Sequence, residues 1–165
     1  MGANHLRSPG APVIRLSRAA HDELRRHAEE SWPRESCGVL LGRGAGGTRA
    51  VAEALRCRNV DPAPERRYRL DPRELLSAVK RARRSGQEVV GFYHSHPEGP
   101  ARPSAVDLLE AEWPGCAYLV TAVAGGRAGA TRAFVLLDED DTGKRFAEEP
   151  LEAAPDPGAP ARAGG

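Results

Sequence analysis

Two histidines and an aspartate that lie close together in the chain, His94, His96 and Asp107, have side chains that bind metal ions. Residues 89–93 are rich in β-formers, so both histidines fall at the end of a predicted strand, where side chains two residues apart point to the same side. Asp107 follows a loop and lies one turn into a predicted helix. Two imidazole nitrogens and one carboxylate oxygen suit zinc, and three protein ligands leave the fourth tetrahedral position to water, as in catalytic zinc sites.

Each of these residues also has a simpler interpretation. Histidines at a strand end are more often structural or exposed than metal-bound, and Ser104 with Asp107 is an acceptable capping box by itself. The metal-binding interpretation is favoured over the structural one because two histidines, a serine and an aspartate fall in one strand–loop–helix unit, with a second acid, Glu35, upstream. Glu35 precedes the apolar residues 37–41, where a carboxylate is costly unless it is paired or functional, although a place beside Arg34 also suits a surface acid.

This arrangement resembles the motif of the JAMM (MPN+) metalloproteases, in which H-x-H-P is followed by a serine and then by x-x-Asp. Four residues match that spacing without gap or insertion: His94, His96, Ser104 and Asp107. Glu35, in the segment ESCGVLLG, resembles the glutamate that the family carries on an earlier element. The resemblance covers residues 13–151, and a match of all its parts in order is specific.

The resemblance implies a fold and a mechanism. The fold is of the α/β (α+β) class, a single MPN/JAMM-type domain with a curved mixed β-sheet, flanking helices and a layering like that of cytidine deaminases. His94, His96 and Asp107 would bind one zinc ion per chain. Glu35 would accept a proton from the attacking water and deliver it to the leaving amine, and Ser104 would donate a hydrogen bond to the developing oxyanion.

The connection after the motif aspartate bears on the substrate. JAMM enzymes that edit polyubiquitin carry an insertion between the helix of that aspartate and the next strand, whereas residues 113–115, Trp-Pro-Gly, join the two directly here. Together with the segments 35–42 and 68–72, this short connection makes the chain similar to the compact bacterial type of JAMM enzyme. Such enzymes process small ubiquitin-like sulfur carriers and free the carrier's C-terminal Gly-Gly, in one branch by releasing cysteine. The implied partner is a carrier of this kind.

Two other functions stay open. The chain could be a zinc peptidase or amidase that acts on an unrelated small amide or peptide. It could also be a non-catalytic MPN-type scaffold, although the intact motif counts against this because such scaffolds typically lose the ligands. A zinc deaminase is excluded, since it would need P-C-x-x-C, which does not occur.

Composition narrows the class of protein further. A formal net charge of +1 argues against a nucleic-acid binder that depends on bulk electrostatics. The longest apolar run, residues 116–124, is far too short to span a membrane, and the N-terminal residues show no signal-peptide pattern. Three cysteines without a C-x-x-C pair predict a reducing, cytoplasmic location. The oligomeric state cannot be inferred from these features.

Periodicity and capping residues predict the elements that must position the site. Helices are expected at 17–30, 71–85 and 105–113, and a glycine-rich turn at 42–47. Strands are expected at 13–16, 37–41, 48–60, 68–70, 89–97, 116–124, 131–137 and 146–151. The second helix is expected to bury Leu75, Leu76 and Val79, and the histidines of the first, His21 and His27, to be solvated.

The chain is expected to contain one catalytic domain, residues 12–152, between a flexible arm at 1–11 and a disordered tail rich in Ala, Pro and Gly at 153–165. The tail ends in Gly164-Gly165, as ubiquitin-like carriers do, but in a low-complexity segment this is more simply a coincidence. The basic residues 80–84 suit a helix C-terminus on a solvated face, or else a docking patch for an acidic partner protein.

Overall fold

The fold consists of three helices and eight strands in a computed structural model that describes residues 11–141 and 143–153. The helices are α1 (Arg18–Ser31), α2 (Pro72–Arg84) and α3 (Ala105–Glu110). The strands are β1 (Val13–Leu16), β2 (Cys37–Ala45), β3 (Thr48–Cys57), β4 (Glu88–Pro97), β5 (Ala117–Ala124), β6 (Arg127–Glu139), β7 (Gly143–Glu149) and β8 (Leu151–Ala153). No helix in these two ranges is long and apolar enough to cross a membrane.

All eight strands form one mixed sheet in the order β7-β6-β5-β4-β2-β3-β1-β8. Strand β1 runs parallel to β3 and β8, and β4 runs parallel to β5, while the other neighbours are antiparallel. Strands β7 and β8 lie at opposite ends of this order, yet only Pro150 separates them in the chain, so the sheet curls until its two edges approach each other. Arg49 of β3 reaches Glu149 of β7 at 3.1 Å across this closure. The predicted curved mixed sheet is thus confirmed.

Helices cover both faces of the sheet. Ala20 and Leu24 of α1 pack on one face, against side chains that include Tyr93. Ala78 and Ala82 of α2 pack on the other. Because the strands between them are covered on both sides, residues 37–41 are apolar without alternation. The predicted layering, a sheet between helices, is confirmed.

Several predicted strand boundaries were wrong. Strand β2 continues through Gly42 to Ala45, and the turn consists of Gly46 and Gly47 alone, both with positive φ. Glycine is needed at position 42, where a Cβ would lie 1.8 Å from the carbonyl oxygen of Ala50. Strand β3 ends at Cys57, residues 68–70 form only an isolated bridge between Leu70 and Asn59, and the segment 146–151 is divided between β7 and β8 at Pro150.

Two helices also differ from expectation. Leu76 of α2 is 54 % exposed, because the helix approaches the sheet closely through the small side chains of Ala78 and Ala82 instead. Helix α3 ends at Glu110, not near Trp113. At that end, the ammonium group of Lys144 donates hydrogen bonds to the carbonyl oxygens of Leu109 and Ala111, both at 2.9 Å.

His27 is not solvated as predicted. It is half-buried, and its Nδ1 lies 2.8 Å from the hydroxyl of Tyr93. Of the predicted tail, Ala153 belongs to β8, where it pairs with Leu16. The rest of that tail and residues 1–10 of the predicted arm lie outside the described residues.

Candidate metal centre

Strand β4 carries both predicted histidine ligands at its end, on the same face of the sheet. His94 is 1 % exposed and stacks on the ring of Tyr68, with ring centroids 4.4 Å apart. His96 lies two residues on, nearer the surface, and its Nε2 is 3.0 Å from the Nε2 of His94. The alternation of side chains along a strand therefore brings the two imidazoles together, as the sequence predicts.

Helix α3 brings the carboxylate of Asp107 to the same point. Its Oδ2 lies 3.2 Å from His94 Nε2 and 3.0 Å from His96 Nε2. The helix start is fixed by a reciprocal capping box, in which Ser104 N–H donates to Asp107 Oδ2 at 2.7 Å and Asp107 N–H donates to Ser104 Oγ at 3.1 Å. Asp107 therefore both caps the helix and faces the histidines.

These three side chains have the arrangement and charge that a metal ion requires. Their ligand atoms all lie within 4.8 Å of one another. His96 Nδ1 lies 2.9 Å from the carbonyl oxygen of Pro100, which can only accept, so Nδ1 carries the proton and Nε2 presents a lone pair to the cluster. Two imidazole nitrogens and a carboxylate oxygen that face one point stabilise positive charge there, and the set fits zinc.

The electrostatics of the cluster favour neutral His94 and ionised Asp107, the forms that bind metals. Burial lowers the pKa of His94. Burial would raise the pKa of Asp107, but hydrogen bonds with His94 and His96 outweigh it and hold that pKa well below its usual range. At His96, burial is opposed by the hydrogen bond with Asp107, which leaves its pKa raised.

The register of β2 and β4 brings Glu35 to the level of His96, with which its carboxyl interacts electrostatically. Strand β2 pairs antiparallel with β4, with Cys37 opposite His94. The backbone N–H of Ser95 donates to the carbonyl oxygen of Ser36 at 3.1 Å, so the pairing continues one residue further, and the next residue, Glu35, falls opposite His96. Because residues directly opposite each other share a face of the sheet, Glu35 is on the side of the metal centre.

Glu35 is buried, not the surface acid that its place beside Arg34 also allowed. It is 6 % exposed, and within residues 11–141 and 143–153 its Oε2 has no hydrogen-bond partner. Burial raises the pKa of Glu35 to about 7; nearby His96 opposes this rise and nearby Asp107 adds to it. Both backbone groups of Glu35 are hydrogen-bonded to the 59–64 loop: its N–H donates to Pro64 O at 2.7 Å, and its carbonyl accepts from Asn59 Nδ2 at 3.1 Å.

Ser104, the second predicted catalytic residue, is exposed at the start of α3. In the capping box its Oγ accepts a hydrogen bond, so the hydroxyl proton is not used there. The geometry therefore leaves Ser104 able to donate to a ligand bound beside Asp107.

Three residues that the sequence analysis did not single out also shape the site. Tyr68 stacks on His94, and Asn59 ties the backbone of Glu35 to the loop before α2 through its side-chain amide. Ser95, between the two histidines, is completely buried. The turn-forming Asn-Val-Asp-Pro sequence at 59–62 gave an indication for Asn59, but no pattern pointed to a partner for Tyr68.

Two cavities adjoin residues that surround the cluster, although His94, His96 and Asp107 line neither of them. One, of about 490 Å³, is lined by Glu35 and by polar side chains that include Arg34, Asn59 and Glu74. The other, of about 450 Å³, has four aromatic side chains among its lining residues: Tyr68, Phe92, Trp113 and Tyr118. A polar space thus adjoins Glu35, and an apolar space adjoins the tyrosine stacked on His94.

The basic end of α2 is remote from the metal ligands. Arg81 pairs with Glu53 at 2.9 Å. Helix α2 ends at Arg84, just before β4 begins at Glu88, whereas His94 lies six residues further along that strand, or about 20 Å at roughly 3.3 Å per residue. A partner that docks on this basic end would have to span about 20 Å to reach the metal centre.

Comparison with known proteins places the chain among relatives of one family. The family model described as prokaryotic homologs of the JAB domain matches residues 17–137. A protein of Haloferax volcanii named desampylase is 40% identical over 111 residues, which is 65% of this chain and 78% of that protein. A protein of Thermus thermophilus named probable TtuB-protein conjugate cleaving protease is 37% identical over 116 residues, 70% of this chain and 74% of that protein.

A solved structure agrees with these relatives. The solution structure of a protein from Desulfitobacterium hafniense is 34% identical and superimposes with a TM-score of 0.71, covering 87% of this chain and 95% of that one. At this identity and coverage, the likeness extends over most of the chain.

Proposed function

The chain belongs to the family of prokaryotic homologs of the JAB domain, and from that membership we propose that it is a zinc-dependent peptidase or isopeptidase. Its substrate would be a small ubiquitin-like carrier protein, cut at the amide bond that follows the carrier's C-terminal Gly-Gly. One observation carries the proposal: the ligand atoms of His94, His96 and Asp107 face one another near the buried carboxylate of Glu35, whose Oε2 has no hydrogen-bond partner among the described residues.

His94, His96 and Asp107 would hold the zinc ion. When bound, zinc supplies an acidified water and polarises the scissile carbonyl. The protein contributes the orientation of the ligands: Pro100 fixes the ring of His96, Tyr68 packs on the ring of His94, and the capping box fixes Asp107. Such supporting contacts commonly decide metal affinity and geometry.

Glu35 would transfer the protons. A general base works best when its pKa is near the operating pH, and burial raises the pKa of Glu35 to about 7. Its Oε2, which has no hydrogen-bond partner in the part of the chain that the structure describes, can accept the proton of the attacking water, and the same carboxyl then delivers that proton to the leaving amine. The leaving group would therefore lie on the side of Glu35, where the polar cavity offers room.

Ser104 would stabilise the oxyanion. Its Oγ keeps its accepted hydrogen bond from Asp107 N–H while its proton is donated to the oxygen of the carbonyl under attack. Capping the helix and binding the oxyanion are therefore compatible roles for one hydroxyl group.

The substrate class rests on the relatives and on the short connection after α3. Two of the relatives are named for desampylation and for the cleavage of TtuB-protein conjugates. Between the end of α3 at Glu110 and the start of β5 at Ala117 there is only a short link, with no element that could contact a second large substrate protein. Glycines at the scissile bond would let an extended tail approach the metal closely, because they lack a Cβ.

The test uses a ubiquitin-fold carrier that ends in Gly-Gly, with one cysteine joined to its terminal glycine by an amide bond. Mass spectrometry before and after incubation with the zinc-loaded enzyme should show loss of that cysteine, and a carrier ending in Ala-Ala serves as control. The free peptide Gly-Gly-Cys should be cleaved much more slowly, because binding energy from the folded carrier contributes to catalysis. Failure on every Gly-Gly adduct, with good turnover of an unrelated small amide, would reject this substrate.

A further inference from the structure

A pair of buried serines, Ser36 and Ser95, lies behind the metal centre. Ser95 falls between His94 and His96 in β4, so its side chain points to the opposite face of the sheet. Ser95 is 0 % exposed and Ser36 is 1 % exposed. A buried hydroxyl group is costly unless it is hydrogen-bonded, and alanine would fill almost the same volume. The two hydroxyl groups therefore call for an explanation beyond packing.

The two serines join β4 to the start of β2 through three hydrogen bonds, which we term the serine clasp. The N–H of Ser36 donates to Ser95 Oγ at 2.8 Å, and the hydroxyl of Ser36 donates to the same oxygen at 3.0 Å. In return, the N–H of Ser95 donates to the carbonyl oxygen of Ser36 at 3.1 Å. A side chain of β4 thus accepts a backbone N–H that a carbonyl oxygen accepts in a regular ladder.

We propose that the serine clasp positions Glu35 for proton transfer, an inference that rests on the proposed role of Glu35 as the base. Glu35 immediately precedes Ser36, and its own N–H and carbonyl turn away from β4 to Pro64 and Asn59. The hydrogen bonds between β4 and this segment therefore end at the serine clasp. Without it, the nearest described hydrogen bonds between this segment and β4 would begin at Cys37, and Glu35, held by the 59–64 loop, could shift relative to His96.

The metal ligands do not depend on the clasp in the same way. His96 is oriented by the carbonyl of Pro100, and Asp107 by Ser104 on α3. Loosening the clasp should therefore disturb the base and leave the metal in place. Ser95 is accordingly a positioning residue that acts through Glu35.

The experiment replaces Ser95 by alanine and measures kcat and KM with the carrier–cysteine adduct as substrate. The affinity of the variant for zinc is measured separately. A displacement of the base by about 1 Å can cost about 100-fold, so kcat should fall by about 10- to 100-fold with KM within about twofold. The dissociation constant for zinc, and the visible spectrum with cobalt in its place, should be unchanged. Ser95→Thr, which keeps the hydroxyl group, should recover most of the lost rate.

The chain offers a matched control in Thr121, which lies beside Ser95 in the neighbouring strand β5. Thr121 is also buried, and its hydroxyl lies 2.8 Å from that of Thr131. Thr121→Val removes one buried hydrogen bond of the same kind and should lower the melting temperature but not kcat. Amide hydrogen exchange at Ser36 should accelerate in Ser95→Ala and not in Thr121→Val.

Three results would overturn the clasp: unchanged kcat in folded Ser95→Ala, a parallel loss of zinc affinity, or an equal loss of kcat in Thr121→Val. If Ser95→Ala does not fold, Ser36→Ala is the deciding variant, because in it Ser95 Oγ still accepts the backbone N–H of residue 36. Its kcat should fall by about two- to fivefold, since only part of the constraint on Glu35 is lost. An unchanged kcat in Ser36→Ala would reject the proposal. If the wild-type enzyme cleaves no Gly-Gly adduct, the proposed substrate is rejected, but the proposal for the serine clasp can still be tested. An unchanged rate of amide hydrogen exchange at Ser36 in Ser95→Ala would then reject the clasp.

Discussion

Glu35 is a carboxyl group whose charge the fold disfavours. Its pKa is about 7 in the folded chain and near 4.5 in an unfolded one, so between these values the folded state binds a proton that the unfolded state has lost. Folding therefore takes up a proton, and the stability of the metal-free protein should fall as the pH rises through this window.

Glu35→Gln tests both consequences of that burial. The variant should keep its zinc but lose hydrolysis by at least about two decades, because an amide cannot accept the water's proton. Without metal, it should melt higher than the wild type at about pH 8 and level with it at about pH 4, where the wild-type carboxyl is protonated in both states. Near-normal turnover, or equal melting temperatures at both pH values, would contradict the assignment.

The metal ligands can be tested without any substrate. His96→Ala removes one of three convergent ligands and should lower zinc content from one per chain to a small fraction, measured by elemental analysis after dialysis. His21→Ala is the control, because His21 lies on α1 beside Asp22, away from the cluster. Full zinc content in His96→Ala would show that the ion binds elsewhere.

Ser104 combines a cap with a proposed catalytic hydroxyl, and a second cap separates the two effects. Ser104→Ala should lower kcat by about two to three decades through loss of the oxyanion donor, and stability by about 1 kcal/mol through loss of the cap. Ser17 caps α1 by accepting the N–H of Ala20 at 3.1 Å, so Ser17→Ala should lose similar stability by thermal unfolding and retain kcat. A rate loss of only a fewfold in Ser104→Ala would remove Ser104 from the mechanism.

Individual elements differed in how far the sequence predicted them. The unit of β4, loop and α3 was predicted well because its determinants are local: β-formers, Pro97, and Ser104 as the cap. The cluster of three ligand side chains follows from that unit alone. Glu35 was assigned by resemblance, and its position opposite His96 depends on the pairing of β2 with β4, which no local pattern specifies.

Other features depend on tertiary contacts that a sequence pattern does not carry. Helical periodicity predicted that Leu76 is a core residue. Instead, α2 approaches the sheet through Ala78 and Ala82, and the side chain of Leu76 is exposed. Likewise, residues 68–70 read as a strand because of their composition, while in the fold Tyr68 packs on His94. In each case, packing against a distant element overrode local propensity.

The close packing of α2 gives a paired prediction. Leu76→Gln should change the free energy of unfolding by no more than about 0.5 kcal/mol, because that side chain is largely in water. Ala82→Leu should cost about 1 to 3 kcal/mol, because the added atoms have no room between helix and sheet. Denaturant unfolding of both variants checks this. A larger loss for Leu76→Gln would mean that α2 sits closer to the predicted orientation.

At the scale of the whole molecule, the short strand β8 completes one edge of the sheet. It pairs with β1 through Ile14, Arg15 and Leu16, and the N–H of Ile14 donates to Pro150 O at 2.9 Å. A chain that ends at Ala153 should therefore melt like the full chain. One that ends at Glu149 should melt about 3 to 8 °C lower, as expected for a loss of roughly 1 to 2 kcal/mol. Equal melting temperatures would show that β8 adds no stability.

The same edge has a consequence for the time order of folding. Strand β1 leaves the ribosome first among the described strands and can pair with β3 early, whereas its other neighbour, β8, is the last of them to be synthesised. Throughout translation, the outer side of β1 is thus an unpaired strand edge, which is a template for pairing with other nascent chains. Partly synthesised or truncated chains should therefore aggregate more readily than full-length ones, since β8 alone among the described strands covers the outer edge of β1.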